Sequence, residues 1–227
     1  MFKKWFSRSK KKNKQEPISP LKNISNSFYH GKYRECIEKA TAEFDNPDTE
    51  LAMNAKRFAG LANYRLKRYE PATRIFESIA KISNNTDDWF NLMTASIRNK
   101  EIELGENAYD QFNSEKSIPG DNRMLTYSNV TYQMMIAYQD VGEFKKALAK
   151  LLVLKRYITQ VKHQNSDYLG KHGVPFIYQT LVTGRACMEN QYNPEQINRF
   201  LEDFELHVDD DGKESIAEFR KTLSEKV

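Results

Sequence analysis

Apolar and polar positions alternate most regularly between residues 52 and 82. Within this stretch Ala72, Phe76 and Ile79 follow Tyr69 at spacings of three, four and three residues. Such spacings place side chains on one face of a helix. The stretch therefore predicts two amphipathic helices joined by a tight turn, with Gly60 in the first of them.

Weaker copies of this pattern occur before and after the stretch, in a common register. In each unit a large apolar residue follows the turn, and a small residue lies three positions after it. Another apolar residue lies four positions after the small one. These three positions are occupied by Tyr33, Tyr69, Ile102 and Phe144; by Cys36, Ala72, Gly105 and Ala147; and by Ala40, Phe76, Tyr109 and Leu151. The intervals between units are 36, 33 and 42 residues, and the longest contains a turn signal at residues 117–121.

The small residue at the helix crossing, the aromatic residue after the turn and the spacing that follows resemble the tetratricopeptide repeat (TPR) family. Its repeat has a period of about 34 residues. The resemblance implies an all-α fold, a right-handed superhelical stack of antiparallel helix hairpins (an α-solenoid) over residues 17–227. Clear repeats cover residues 17–160, while a degenerate repeat and a capping helix cover residues 174–227.

The ends of this domain are predicted from local signals. Ser19 and Pro20 read as a helix N-cap followed by proline in the first turn. Residues 163–173 are predicted to form a loop. Residues 174–190 and 195–207 are predicted to form a fifth helix pair, and residues 215–225 a terminal capping helix.

Charge is distributed unevenly along the chain, although the formal net charge is only +4. Residues 1–14 contain seven basic and no acidic residues, whereas the remainder contains 28 basic and 31 acidic ones. Residues 1–16 are therefore predicted to form a flexible basic tail on a mildly acidic body.

Three interpretations of the tail are open. Its aromatic and basic side chains would contact an anionic membrane surface, its charges would contact nucleic-acid phosphates, or it is simply solvated. The charge balance of the body disfavours nucleic acid as the partner of the fold itself. The membrane-surface candidates are Phe2, Lys3, Lys4, Trp5 and Phe6.

No pattern in the sequence nominates an active site, a cofactor or a small-molecule substrate. The four histidines are scattered, and Cys36 and Cys187 are far apart and predicted to be buried, reduced thiols. Asp87 and Asp88 are interpreted as solvated or capping carboxylates. Residues 207–218 have the spacing of a calcium loop at four positions but begin with His207, so a helix connection is favoured over a metal site.

The resemblance also implies a binding surface, because the first helices of successive TPR units line a concave groove that receives a peptide or partner protein. Carrying the register over gives thirteen candidates on three first helices. They are Asn54, Arg57, Leu61, Tyr64, Arg65, Phe90, Asn91, Thr94, Arg98, Asn129, Tyr132, Gln133 and Ile136. On this basis charge reversal at Arg57, Arg65 and Arg98 together is expected to abolish partner binding without loss of helicity.

These observations predict a non-enzymatic scaffold or adaptor that binds a protein or peptide. Two alternatives remain open: a dedicated chaperone or neutralising partner of one secreted protein or toxin, and a regulatory or sensor subunit of an enzyme on another chain. The expected location is the cytoplasm, with peripheral contact at the inner face of the membrane if the tail binds lipid.

Overall fold

The computed structural model describes residues 19–83, 85–114 and 126–224. These parts of the chain form twelve α-helices and no strand, which confirms the all-α class. The helices are α1 (Pro20–Tyr29), α2 (Tyr33–Thr41), α3 (Thr49–Arg65), α4 (Tyr69–Ser83), α5 (Thr86–Arg98), α6 (Ile102–Ser114), α7 (Tyr127–Asp140), α8 (Phe144–Gln160), α9 (Ser166–Lys171), α10 (Ile177–Gln191), α11 (Pro194–Glu205) and α12 (Asp210–Ser224).

Polar side chains at the helix starts explain where several helices begin. Ser19 accepts a hydrogen bond from the backbone N–H of Lys22, and Pro20 opens α1, as predicted. Asp48, Asn85 and Thr126 cap α3, α5 and α7 in the same way. Each cap satisfies a backbone donor that has no partner within its helix.

The turns inside the first four helix pairs have the same geometry. A residue with positive φ lies two positions before each of the second helices α2, α4, α6 and α8; these residues are Gly31, Lys67, Lys100 and Gly142. In every case the next backbone N–H donates across the turn to a carbonyl five residues earlier, at 2.9 Å. This is the hydrogen bond that closes a helix C-terminus of the Schellman type. The predicted register therefore corresponds to a recurring local structure.

Replacing Lys67 or Lys100 with glycine is expected to stabilise the fold. Both lysines are exposed and have φ values of 57° and 65°. This left-handed conformation costs a residue with a Cβ about 1–2 kcal/mol, whereas the greater flexibility of unfolded glycine offsets about 0.5–1 kcal/mol. Urea denaturation of Lys67→Gly or Lys100→Gly should show a gain of about 0.5–1 kcal/mol each. Lys32→Gly, where φ is −82°, should lose stability instead; a loss in all three variants would contradict the argument.

The helices pack as two connected sets. In one set, here called the first row, α1, α3, α5, α7 and α10 each contact the next member. The helices α2, α4, α6 and α8 pack against the first-row helices that precede them, and α2, α4 and α8 also pack against the ones that follow. One core extends from α4 to α12, and a smaller one lies between α1, α2 and α3.

Small residues occupy the crossing points that the register assigned to them. Ala72, Gly105 and Ala147 are buried at their equivalent positions, as is Cys36. A Cβ built on Gly60 would lie 2.7 Å from the ring of Phe76, closer than a methyl group tolerates. The prediction that Gly60 lies where two helices cross is therefore confirmed.

The C-terminal third departs from the predicted elements. The stretch 163–173 is not simply a loop, because it contains the short helix α9. The two helices predicted at 174–190 and 195–207 correspond to α10 and α11, but α10 packs mainly on α8 and α12 rather than on α11. The capping helix α12 begins at Asp210, five residues earlier than predicted.

The calcium-loop spacing at residues 207–218 does not correspond to a loop. Asp211, Gly212 and Glu218 lie within α12, while Asp209 precedes it. One carboxylate oxygen of Asp209 accepts from the backbone N–H of Gly212 and the other from the backbone N–H of Gln164. Within the described ranges no three His, Cys, Asp or Glu side chains are grouped to hold a metal ion.

Both cysteines are free and buried, as predicted. Burial raises the pKa of each thiol to about 11, which keeps it protonated near neutral pH. Among the described helices none is both long and apolar enough to cross a bilayer.

Candidate partner-binding surface

Side-chain contacts join the first-row helices from α3 to α10. Arg57 of α3 pairs with Asp88 of α5, and Arg98 of α5 pairs with Asp140 of α7. The last step is a 2.8 Å hydrogen bond between the hydroxyl groups of Tyr132 on α7 and Thr183 on α10. The thirteen predicted residues lie on α3, α5 and α7, so they share this row. We call the side-chain face that they form the first-row surface.

Arg57 neutralises a fully buried carboxylate. Its Nε lies 3.0 Å from Oδ1 of Asp88 and its Nη2 lies 2.8 Å from Oδ2, so the pair is bidentate. Asp88 is 0% exposed, and hydrogen bonding to it raises the pKa of Arg57. The interpretation of Asp88 as a solvated or capping carboxylate is wrong, because the carboxylate lies inside the α3–α5 contact. Arg57 also donates to Asn54 through Nη1.

Arg98 is similarly committed to the packing of first-row helices. Its Nη2 lies 2.8 Å from Asp140, and its guanidinium lies 5.4 Å from the ring centre of Tyr64. The Arg98 side chain is only 9% exposed, and burial raises the pKa of Tyr64. These contacts connect α3, α5 and α7 through a single cation.

Thr94 and Tyr132 are buried. The hydroxyl of Thr94 donates to backbone carbonyls within α5, and the hydroxyl of Tyr132 contacts Thr183. Tyr132 thus joins Arg57, Tyr64 and Arg98 in holding the first-row helices together, whereas the bonds of Thr94 lie within α5. The other eight keep solvent-accessible surface: Asn54, Leu61, Arg65, Phe90, Asn91, Asn129, Gln133 and Ile136.

The accessible members combine apolar and polar groups. Leu61, Phe90 and Ile136 are partly buried against the core and present the rest of their surface to solvent. Arg65 is exposed and makes no ion pair within the part of the chain that the structure describes. It lies one helical turn after Leu61, so the two form a cationic and apolar patch on α3.

Beside α7 the first-row surface deepens into a pocket of about 350 Å³, here called the α7 pocket. The repeat pattern predicted three of its lining residues and missed the other six, which lie in the α9–α10 region. Its lining consists of Asn129, Tyr132, Gln133, Gly170, Gly173, Val174, Pro175, Phe176 and Gln179.

The wall of the α7 pocket is anchored to the start of α7. The carbonyl oxygen of Gly173 accepts hydrogen bonds from the hydroxyls of Thr126, at 2.5 Å, and Ser128, at 3.3 Å. Gly173 has a φ of 63°, and the N–H of Val174 donates to the carbonyl of Leu169 at 2.9 Å. The side chain of Val174 is buried, which fixes this segment over α7.

A separate cluster of ionisable groups joins α6, α7 and α8. Glu106 accepts hydrogen bonds from Tyr138 at 2.8 Å and from Lys146 at 2.6 Å. Burial by itself would raise the pKa of Glu106, but these two hydrogen bonds lower it below its ordinary value. Burial, followed by the bond to Glu106, raises the pKa of Tyr138. The groups satisfy one another, so this arrangement links helices.

Comparison of the chain with protein-family models, curated proteins and solved structures found no match. The membrane-surface candidates of the tail, from Phe2 to Phe6, lie outside the described residues.

Proposed function

We propose that this chain is a TPR-like repeat protein that holds a peptide or a partner protein along the first-row surface, without catalysing a reaction. The proposal rests chiefly on one observation: four helix pairs share the same left-handed turn at the same register. A stack of such pairs presents its first helices side by side, which is how helical repeat proteins build extended binding surfaces.

The chemistry of the accessible residues supports a protein ligand. Arginine and aromatic side chains contribute strongly to protein interfaces, and the contacts that surround them exclude water. The patch formed by Leu61 and Arg65 offers this combination, with Phe90 on α5. A partner segment with an aliphatic side chain near an acidic one would complement the patch. Because the sequence resembles TPR proteins, we also propose a cytoplasmic location. A secondary proposal is that the basic tail contacts a membrane surface.

The experiment compares two full-length double variants that are matched in residue type. Leu61→Gln/Arg65→Glu alters the first-row surface, whereas Leu152→Gln/Arg34→Glu alters exposed residues of α8 and α2. Tagged proteins would be used to recover partners from the source cell, followed by mass spectrometry and quantitative binding of the purified partner. Affinity should fall about tenfold or more in the first variant and stay unchanged in the second.

Circular dichroism and thermal unfolding would verify that both variants fold. Equal affinity of the first variant and the wild type for every recovered partner would contradict the proposed surface. One dominant stoichiometric partner would indicate a dedicated chaperone or neutraliser, several would indicate a scaffold, and an enzyme that changes activity on binding would indicate a regulatory subunit.

A further inference from the structure

Three residues with amide side chains line the α7 pocket. Asn129 and Gln133 lie one turn apart on α7, and the exposed Gln179 lines the pocket from α10. None of these side-chain amides makes a hydrogen bond to another described residue. The buried amides of Asn63 and Gln164, in contrast, are bonded within the fold. The pocket therefore has three NH₂ donor groups and three carbonyl acceptors free for a ligand.

The nine described residues that line the pocket carry no charge. A charged ligand group would lose hydration there without meeting an opposite charge, which is unfavourable. Paired N–H and C=O groups of a peptide backbone, in contrast, match the donor and acceptor capacity of the amides. The lining thus selects an uncharged polar ligand over an ionic one.

Apolar surface in the same pocket provides a place for a side chain. Phe176 is 41% exposed and the partly exposed Pro175 lies beside it in the lining, whereas Val174 is buried. Tyr132 is only 7% exposed and its hydroxyl bonds to Thr183, so it contributes little free surface to the pocket. The pocket volume lies within the range of about 300–1,000 Å³ that is usual for ligand sites.

We propose that the α7 pocket binds an uncharged, extended segment of the partner protein, whose backbone bonds to the three amides and whose large apolar or aromatic side chain packs beside Phe176. This inference rests on the proposed function and specifies one part of it. It adds selectivity to the surface, because the Leu61–Arg65 patch favours an acidic neighbour while the pocket requires a neutral insertion.

The test uses a random dodecapeptide phage-display library as the probe for the full chain. Enriched peptides would be synthesised, and their affinities measured by fluorescence anisotropy. The pocket variants Gln133→Glu and Gln179→Glu introduce a charge with almost no change in size. Gln160→Glu, at an exposed position of α8, is the matched control. Enriched peptides should share an uncharged core with one large apolar or aromatic residue, and each pocket variant should weaken binding about tenfold or more, unlike the control.

Three outcomes would count against the inference, and the first of them separates it from the wider proposal. Peptides that lose affinity with Leu61→Gln/Arg65→Glu but bind both pocket variants within twofold of the wild type would refute the pocket and leave the first-row surface standing. A library selection that enriches no peptide would count against both. A consensus core that contains a charged residue would refute the predicted selectivity.

Discussion

Replacing Arg57 with alanine is expected to lower the free energy of unfolding by about 3–5 kcal/mol, the range found when one partner of a buried ion pair is removed. The reason is the position of Asp88, which is 0% exposed and bonded through both oxygens to the Arg57 side chain. Without the guanidinium the carboxylate remains in the α3–α5 contact without its countercharge. Urea denaturation of Arg57→Ala, followed by far-ultraviolet circular dichroism, measures this loss directly.

Two further variants identify the cause. Arg65→Ala removes the same type of side chain from an exposed position two turns along α3, and its effect should stay within about 0.5 kcal/mol. The double variant Arg57→Met/Asp88→Leu removes both charges and should recover most of the stability, because a buried ion pair can often be replaced by apolar residues. If Arg57→Ala costs less than about 1 kcal/mol, the carboxylate is compensated in another way.

The Arg57–Asp88 pair also changes the result expected when the charges of Arg57, Arg65 and Arg98 are reversed together. Reversing Arg57 would place two acidic groups together in the α3–α5 contact, and reversing Arg98 would oppose Asp140. The triple variant would therefore lose folded structure as well as any binding, so the expectation of intact helicity is withdrawn. Of its three positions, only Arg65 tests the surface alone.

The turn register was accessible from sequence because each unit encodes it locally. Tyr33, Tyr69, Ile102 and Phe144 follow their turns at one fixed distance, which the spacing of apolar residues specifies. Two of the four left-handed positions are lysines and carry no glycine signal. The register can still be recognised from the spacing of the apolar residues. The two lysine turns form because burial of the helical faces outweighs their local conformational cost.

The details of the surface depended on contacts that the sequence pattern does not contain. Helical periodicity assigns a face to Arg57, but its partner Asp88 lies 31 residues away on another helix. Whether a carboxylate at a helix start is solvated or buried depends on how the helices cross. The α7 pocket could not be predicted from the sequence for a different reason. Residues 170–176 do not follow the repeat, and their position depends on the hydroxyls of Thr126 and Ser128.

The effect of Gly60→Ala on the free energy of unfolding should change sign when Phe76 is also replaced. The Phe76 side chain is 1% exposed, so Phe76→Ala should cost about 3–5 kcal/mol by leaving a cavity. In the wild-type background Gly60→Ala should cost up to about 2 kcal/mol, because overpacking of about 1–3 kcal/mol exceeds the helix propensity gained, about 1 kcal/mol. The built Cβ lies only 2.7 Å from the ring, and the ring is confined by the core.

In the Phe76→Ala background the same Gly60→Ala exchange should stabilise the protein by about 1 kcal/mol, because the methyl group meets a cavity and the propensity gain remains. Urea denaturation of the four proteins in this double-mutant cycle measures the coupling. Ala149→Gly, at an exposed position of α8, calibrates the propensity term alone. If Gly60→Ala stabilises both backgrounds equally, Phe76 does not restrict residue 60; a change of sign shows that close helix approach requires glycine there.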